Sequence, residues 1–424
     1  MRSRIKWVVT TLLFITVIII LGYYHARLLQ CYEATQNNFY PNTITSGVVA
    51  TGENTSTFAY PTSNMMRCRI SEVNEDEQTS IALLKVHKTG STTLSSILYR
   101  FGIRRGLSFV MVKDPNLHQF YPRTIDKSFK SFYPPCQNGK YDILNIHSRY
   151  NGRNILSRFM REDTFIVATL RRPLEQMQSG FNYYGYAKTL RRVGATFEDF
   201  LDRPQRYVPR LRQIMINPLQ LLWNSMSFDL GLSDFDIPRG ITRSEIENEP
   251  IYLAEVERFL NWMESEIDFF VISEEFDESL ILLKDELNLQ IEDFVYFTQN
   301  VAAQPLKDDY YIDDRLLNKS IEFSYIDNLL YDRMKLKLDR KKREKGAKLE
   351  IEIAELRQLN QEFSEYCLDK IETDPLLFGA VKILGNKLKK ERKQDRCCYE
   401  TAIDEMKFVK EIKQYMKNSC NSNF

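Results

Sequence analysis

The chain carries almost no net charge. Among its 424 residues, 58 are Lys or Arg and 57 are Asp or Glu, so the formal net charge is +1. This balance provides no overall field that would steer the protein to nucleic acid. Basic clusters such as Arg340–Arg343 have acidic residues nearby, and this alternation is typical of solvated helix faces. The composition therefore argues against a role in binding nucleic acid.

Histidine is scarce, and the cysteines are poorly spaced for metal binding. The four histidines are scattered, and no cysteine pair has the spacing of a zinc site. We therefore expect an activity that requires no metal. The odd number of cysteines leaves at least one free or bonded to another chain, and Cys31 is a candidate for a disulfide link in a homodimer. The seven are Cys31, Cys68, Cys136, Cys367, Cys397, Cys398 and Cys420.

Long apolar runs are also rare, and the one at the N-terminus predicts a membrane anchor. Trp7–Tyr24 has roughly the length needed to cross a bilayer, and Arg2, Arg4 and Lys6 precede it. By the positive-inside rule, residues 1–6 form a cytosolic tail. The bulky residues that follow do not resemble a cleavage site. We therefore predict an uncleaved anchor at 7–24 with the rest of the chain in the lumen; a cleaved signal peptide is the alternative.

The segment after the predicted anchor has the composition of a flexible stem. Residues 25–78 are rich in Thr, Ser and Asn and show no sustained periodicity. Asn54 begins one glycosylation sequon, and Asn318, far downstream, begins another. Sequons are usable only in the secretory lumen, which agrees with the predicted orientation. The predicted catalytic domain spans residues 79–424.

A loop between an apolar run and an amphipathic run predicts an anion site. The apolar run Ile81–Leu84 predicts a strand, and Leu94, Ile97, Leu98 and Phe101 lie on one helical face. Unpaired N–H groups at a helix N-terminus favour a bound phosphate. The loop between them contains Lys88, Thr89, Gly90, Ser91, Thr92 and Thr93. Lys88 precedes the loop's one glycine, so the loop lacks the Walker pattern of nucleotide hydrolases.

This order resembles the 5′-phosphosulfate loop of sulfotransferases that use 3′-phosphoadenosine 5′-phosphosulfate (PAPS). The resemblance implies a second motif, in which an Arg after a strand and a Ser eight residues later bind the 3′-phosphate. Thr164–Leu170 reads as a buried strand and leads into Arg171, and Ser179 lies eight residues after Arg171. A guanidinium fork and a hydroxyl are suited to phosphate oxygens. Relatives often have Asp at the place of Arg172.

Softer stretches resemble one branch of these enzymes, the galactose-3-O-sulfotransferase family, which includes galactosylceramide sulfotransferase. His87 directly precedes Lys88, as in that family, and similar stretches occur at Ser179–Gly185, Ser227–Gly231 and Glu275–Leu280. The resemblance covers roughly residues 80 to 300. It implies a Golgi type II membrane protein that transfers sulfonate from PAPS to a galactose hydroxyl, O-3 in particular, of a glycolipid or glycoprotein.

Sulfonate transfer requires a cation at the leaving group and a base for the acceptor hydroxyl. We predict that Lys88 neutralises the leaving phosphate oxygens. His147 follows the strand-like run Tyr141–Ile146 and matches a His-x-Arg segment of the relatives, and His87 lies beside Lys88. Either could take the acceptor's proton, and His147 is favoured, with His87 as a contact to acceptor or sulfonate. Candidate acceptor contacts, which could equally fill the core, are Asn182, Tyr183, Tyr184 and Trp223.

The whole pattern predicts an α/β fold of the P-loop-like sulfotransferase kind. Four predicted strands alternate with helical patterns, which is typical of a parallel sheet flanked by helices. Beyond about Tyr325 the chain is charged and helical. Two other functions stay open: a glycosaminoglycan O-sulfotransferase, and a luminal binding protein that keeps the fold without turnover. The predicted strands lie near 81–86, 141–146, 164–170 and 268–272.

Overall fold

The computed structural model describes most of the predicted catalytic domain. The described residues are 76–115, 117, 119–125, 131–136, 139–212, 223–299, 301–303, 314–378 and 381–420. All of them belong to one compact unit, Ser63–Phe424. The predicted anchor, nearly all of the predicted stem, and the first sequon lie outside these ranges. Within them, no helix combines the length and the apolar composition that crossing a bilayer requires.

A four-stranded parallel sheet forms the centre of the fold, in the order β2-β1-β3-β4. Its strands are apolar and almost entirely buried, as expected for a parallel sheet covered on both faces. Each predicted strand is present, and the α/β prediction is confirmed. The strands are β1 Ile81–Leu84, β2 Ile143–Leu144, β3 Phe165–Leu170 and β4 Phe269–Ile272.

The register of the sheet brings three loops to one edge. Leu84 pairs with Ala168, and Leu170 pairs with Ile272, so β1, β3 and β4 run side by side in one direction. The carboxyl ends of parallel strands share an edge, where ligands of open α/β sheets bind. The segments that begin at Lys85, Arg171 and Ser273 therefore leave the sheet at that edge.

Helices pack around the sheet with their apolar faces inward. The predicted face of α1 is buried, and so are Val256, Phe259, Leu260 and Met263 of α9 and Leu280, Leu283 and Leu287 of α10. The helices are α1 Ser91–Arg104, α2 Arg153–Leu156, α3 Pro173–Tyr183, α4 Tyr186–Arg191, α5 Phe197–Asp202, α6 Pro204–Arg212, α7 Ser225–Asp229, α8 Arg243–Asn248, α9 Pro250–Glu266, α10 Phe276–Leu287, α11 Asp314–Phe323, α12 Tyr325–Lys345, α13 Ala347–Cys367, α14 Arg396–Ala402 and α15 Glu405–Cys420.

The C-terminal region is helical as predicted, with one exception. After α12 and α13, the strands β5 Leu368–Phe378 and β6 Val381–Leu388 form an antiparallel hairpin. The hairpin was not predicted because the apolar residues of β5 do not alternate regularly with polar ones, and charged residues interrupt both strands. It also pairs with a distant segment, through a bridge between Ala302 and Ile383.

Disulfides tie the last helices to the rest of the fold. Cys136 is bonded to Cys420, at the end of α15, and Cys367 is bonded to Cys398 in α14. Helix α15 also packs on α1, with the rings of Phe408 and Tyr99 at 5.3 Å. The chain's end is thus fixed beside the helix that follows the anion loop.

Candidate functional site

The predicted anion loop turns tightly between β1 and α1. Lys88 and Gly90 both have left-handed backbone conformations, with φ of 62° and 76°. The Thr89 hydroxyl donates to the Val86 carbonyl at 2.9 Å, and the Ser273 hydroxyl donates to the Thr89 carbonyl at 2.6 Å. These contacts hold the loop against the core and against the segment after β4.

Gly90 is required by space as well as by conformation. A Cβ atom at this position would lie 3.0 Å from the Ser273 hydroxyl oxygen. Left-handed backbone is also costly for residues with side chains. A glycine here therefore lets the backbone amides at the start of α1 stay open toward the cavity in front of them.

One cavity of about 1610 Å³ brings the predicted site together. Nine of the ten predicted site residues line it: His87, Lys88, Gly90, Ser91, Thr92, Thr93, His147, Arg171 and Ser179. The exception is Thr89, which is fully buried. Its hydroxyl donates to the Val86 carbonyl, so Thr89 supports the loop from within the core.

Lys88 places its charge inside this cavity. Its Nζ lies 3.9 Å from the centroid of the Tyr183 ring, a cation–π contact. Burial, and then the nearby Arg171 charge, lower the pKa of Lys88 to about 8. Lys88 and Arg171 thus place two cations close together at the cavity, which favours a bound anion.

Arg171 and Arg172 differ in their surroundings. Arg171 follows β3 and lines the cavity, with Glu175 at 3.5 Å. The Arg172 guanidinium lies closer to the same carboxylate, at 2.9 Å, and its backbone N–H donates to Glu274. Arg172 therefore has a structural role, and Arg171 is the better placed of the two to bind an anion in the cavity.

The two predicted base candidates are in direct contact. The rings of His87 and His147 are stacked, with centroids 4.3 Å apart and planes at 20°. His147 Nδ1 is 2.9 Å from the Lys85 carbonyl oxygen, and His87 Nδ1 is 2.7 Å from Asp229 Oδ2. Burial, and then the charges of His87, Lys85 and Lys88, lower the pKa of His147 well below its usual value.

The predicted acceptor contacts divide between two places. Asn182, Tyr183 and Tyr184 line the cavity beside the histidines. Trp223 lies apart from them. It packs against Phe323 at 5.7 Å and lines a separate cavity of about 360 Å³. Trp223 is thus part of an aromatic cluster, as the core-filling alternative expects, and it does not line the cavity with the other three.

Three residues near the loop were not predicted as site residues. Asp229 lies within Ser227–Gly231, a stretch that resembles the sulfotransferase family, but nothing in the sequence marks Asp229 itself as a site residue. Lys85 directly follows β1 and is buried, and Glu405 begins α15, 320 residues later. Within the described ranges, no group of three or more His, Cys, Asp or Glu side chains is arranged to hold a metal ion.

Known proteins resemble the chain over most of its length. A family model described as galactose-3-O-sulfotransferase matches residues 2–413. Galactose-3-O-sulfotransferase 3 of Mus musculus is 30% identical over 315 residues, which cover 73% of this chain and 67% of that protein. Galactosylceramide sulfotransferase of Bos taurus is 28% identical over 353 residues, covering 78% and 77%. Galactose-3-O-sulfotransferase 2 of Mus musculus is 29% identical over 239 residues, covering 55% of each.

Proposed function

This chain belongs to the galactose-3-O-sulfotransferase family, and we propose that it transfers a sulfonate group from PAPS to O-3 of galactose in a glycolipid or glycoprotein. It is a carbohydrate sulfotransferase, as its curated relatives are. The observation that carries the proposal is a shared cavity: Lys88, the Arg171 and Ser179 pair, and both histidines line it together.

The residues of the cavity fit the charges of the donor. PAPS supplies an activated sulfonate on a 5′-phosphate, and it carries a separate 3′-phosphate. The loop from Lys88 to Thr93 offers an ammonium, hydroxyls and the amides of the α1 N-terminus, with Gly90 leaving room for close approach. Arg171 and Ser179 offer a fork of N–H donors and a hydroxyl for the other phosphate.

The proposed reaction needs one proton transfer and one charge-stabilising contact. The acceptor oxygen forms a bond to sulfur while the bond from sulfur to the 5′-phosphate oxygen breaks, leaving 3′-phosphoadenosine 5′-phosphate. A histidine takes the proton of the acceptor hydroxyl. Lys88 stabilises the negative charge that develops on the leaving phosphate oxygen. Binding both substrates in one cavity supplies the alignment.

The acceptor side of the cavity suits a sugar. Tyr183 and Tyr184 provide aromatic surface, and Asn182 provides an amide that can donate to and accept from hydroxyls. Galactose has apolar C–H groups beside its hydroxyls, so it can use both kinds of contact. The names of the curated relatives support galactose as the acceptor sugar.

We also propose that the protein is a Golgi type II membrane protein with its catalytic domain in the lumen. The apolar run Trp7–Tyr24 supports this location, and so do the disulfides Cys136–Cys420 and Cys367–Cys398, because disulfides are typical of oxidising compartments. Asn318 is exposed and therefore accessible for glycosylation. A mobility shift on N-glycosidase treatment of the wild type, absent from a variant with both Asn54→Gln and Asn318→Gln, tests the luminal orientation. Co-localisation with a Golgi marker tests the compartment.

Transfer to a panel of acceptors tests the reaction. The full chain, in detergent and with sulfur-labelled PAPS, is given a β-galactoside, a galactolipid and heparan. We expect label on the galactosides, and resistance of the labelled galactose to periodate would assign it to O-3. Label on heparan alone would instead support a glycosaminoglycan sulfotransferase. PAPS binding without transfer to any acceptor would support a non-catalytic binding protein.

A further inference from the structure

We propose that Asp229 is a positioning residue that makes His87, rather than its stacked neighbour His147, the group that takes the acceptor's proton. The inference rests on the proposed sulfonate transfer and assigns its base. Both histidines line the cavity, so proximity alone does not distinguish them. Their hydrogen-bond partners do.

A single carboxylate oxygen holds both the backbone and the ring of His87. Asp229 Oδ2 accepts from the His87 backbone N–H at 2.9 Å and lies 2.7 Å from Nδ1. A carboxylate is an acceptor, so the hydrogen is on Nδ1 and Nε2 keeps its lone pair. The ring is thus held in the tautomer that a base requires, as a carboxylate does for histidine in hydrolase triads.

The same carboxylate favours the product of proton uptake. When His87 takes a proton it becomes an imidazolium, and an adjacent negative charge stabilises that cation. Asp229 is only 3% exposed, so water screens this interaction little. The transferred positive charge would therefore have a counter-ion already in contact.

Within the described part of the chain, the His147 ring has no carboxylate partner of this kind. Its Nδ1 faces the neutral Lys85 carbonyl, and the cationic side chains of Lys85 and Lys88 lie near enough to lower its pKa. Taking up a proton there would add positive charge beside these side chains, with a neutral carbonyl as the Nδ1 partner. His147 therefore stays neutral and supports the His87 ring by stacking against it.

Hydrogen bonds and helix α7 together form a closed path that fixes His87 relative to Asp229. The Gln176 side chain donates to the His87 carbonyl at 2.9 Å and accepts from the Ser225 hydroxyl at 2.9 Å. Ser225 begins α7, and Asp229 ends it. The path from His87 through Gln176, Ser225 and α7 to Asp229 returns to His87, and Gln176, Ser225 and Asp229 are each at least 95% buried.

Helix α7 is itself fixed by reciprocal bonds to α12. Asp327 accepts from the backbone N–H and the hydroxyl of Ser227, at 2.7 and 2.6 Å. In return, Asn224 Oδ1 accepts from the backbone N–H groups of Ile326 and Asp327, at 2.9 and 3.1 Å. Five residues would make a weak helix alone, and these bonds explain how so short an element can hold a carboxylate in place.

Two tyrosines complete the surroundings of the pair. The Tyr121 ring lies edge-on to the His87 ring, with centroids 4.4 Å apart. Burial and the Asp229 charge raise the pKa values of Tyr121 and Tyr184. Both phenols are therefore protonated and neutral at neutral pH. They enclose the carboxylate without adding a charge that would compete with the imidazolium.

Steady-state kinetics of Asp229→Asn, His87→Gln and His147→Gln in the full chain tests the inference. Asp229→Asn should lower kcat by about 10²-fold or more, within the usual range for a general base, while donor binding stays near normal. His87→Gln should lower kcat by a similar factor. The double variant with both Asp229→Asn and His87→Gln should lower kcat little further, because Asp229 and His87 act as a unit. His147→Gln should retain far more activity.

The pH profile separates positioning from a merely structural effect. In the wild type, kcat/KM should fall at acid pH as the base becomes protonated. Asp229→Asn should keep a limb but lower the plateau of the profile, because the base is still present while its imidazolium has no counter-ion in contact. His147→Gln should keep the limb, and His87→Gln should lose it. Circular dichroism melting and binding of 3′-phosphoadenosine 5′-phosphate verify that each variant is folded.

The opposite results would overturn the inference. An acid limb that persists in His87→Gln and disappears in His147→Gln would identify His147 as the base. An unchanged kcat and an unchanged profile in Asp229→Asn would remove Asp229 from the mechanism. If Asp229→Asn does not fold, the two histidine variants still decide between the bases. A wild-type chain that transfers sulfonate to no acceptor would refute the proposed function itself, which is a separate outcome.

Discussion

The Lys85 ammonium is paired with the Glu405 carboxylate, although 320 residues separate them in the chain. Lys85 directly follows β1 with its side chain 1% exposed, and burial lowers its pKa to about 7. The other Glu405 oxygen accepts from the Thr92 hydroxyl at 3.3 Å. The first residue of the last helix therefore neutralises a buried cation beneath the anion loop and contacts the loop itself.

Glu405→Gln should destabilise the protein by up to about 3 kcal/mol, because removing one member of a buried ion pair leaves the other uncompensated. Glu405 keeps some contact with solvent, which argues for the low end of the usual range. Thermal or chemical unfolding measures the loss. The matched control is the double variant Lys85→Met with Glu405→Gln, which should recover most of it. Equal losses in the single and double variants would show that the pair is not the cause.

Gly90→Ala should weaken donor binding more than the same substitution at Gly106, a glycine with a similar backbone conformation outside the loop. The left-handed conformation alone costs about 1–2 kcal/mol for a residue with a side chain. Gly106→Ala is the control: Gly106 has a similar φ of 69°, but a Cβ there meets nothing within 4 Å. Both variants should lose stability from backbone strain, and Gly90→Ala should lose more because its Cβ also meets the Ser273 hydroxyl. Gly90→Ala should also raise the donor Kd, measured by calorimetry. Equal donor binding in the two variants would contradict a close approach of the donor at Gly90.

Arg171→Ala should weaken donor binding with a smaller effect on kcat. Hydrogen bonds to charged groups contribute about 1.5–3 kcal/mol, which corresponds to roughly 10- to 150-fold in Kd. Arg172→Ala is the control, because its guanidinium is paired with Glu175. Adenosine 5′-phosphosulfate lacks the 3′-phosphate, so its weaker binding should be nearly the same in wild type and Arg171→Ala. An equal loss for both ligands would mean that Arg171 does not bind the 3′-phosphate.

Transfer should decline in alkaline solution. Lys88 must be protonated to stabilise the leaving phosphate, and its pKa is lowered to about 8 by burial and Arg171. As pH rises through that value the ammonium loses its proton, so kcat/KM should fall by about tenfold per pH unit above it. In Lys88→Arg the charge persists, and any residual activity should lack this limb. The Lys85→Met variant should keep it; its loss there would assign the limb to Lys85.

The parallel sheet and the donor loop could be predicted because their signals are local. Ile81–Leu84 and Phe165–Leu170 are short apolar runs, and each leads directly into residues with recognisable phosphate chemistry. Helical spacing was equally informative for α9 and α10. These elements bury the residues that their own sequence marks as apolar.

The rest of the site depends on contacts between distant segments. Nothing in the sequence around Glu405 indicates a partner at Lys85, and the bond from Asp229 to His87 joins residues 142 positions apart. The disulfide pairing could not be predicted for the same reason, because sequence spacing alone does not pair Cys136 with Cys420. The hairpin β5–β6 has no regular local pattern, and its bridge to Ala302 joins segments that the sequence does not mark as partners.

The most direct test compares sulfonate transfer from PAPS to a β-galactoside by the wild-type chain and by Lys88→Ala. The ammonium acts on charge that develops in the transition state, so the variant should lose about 10²- to 10³-fold in kcat, the usual value of one such contact. Binding of 3′-phosphoadenosine 5′-phosphate, measured in parallel, shows that the variant's cavity is intact. A robust wild-type rate with this loss would support the account; near-normal turnover in Lys88→Ala would contradict it.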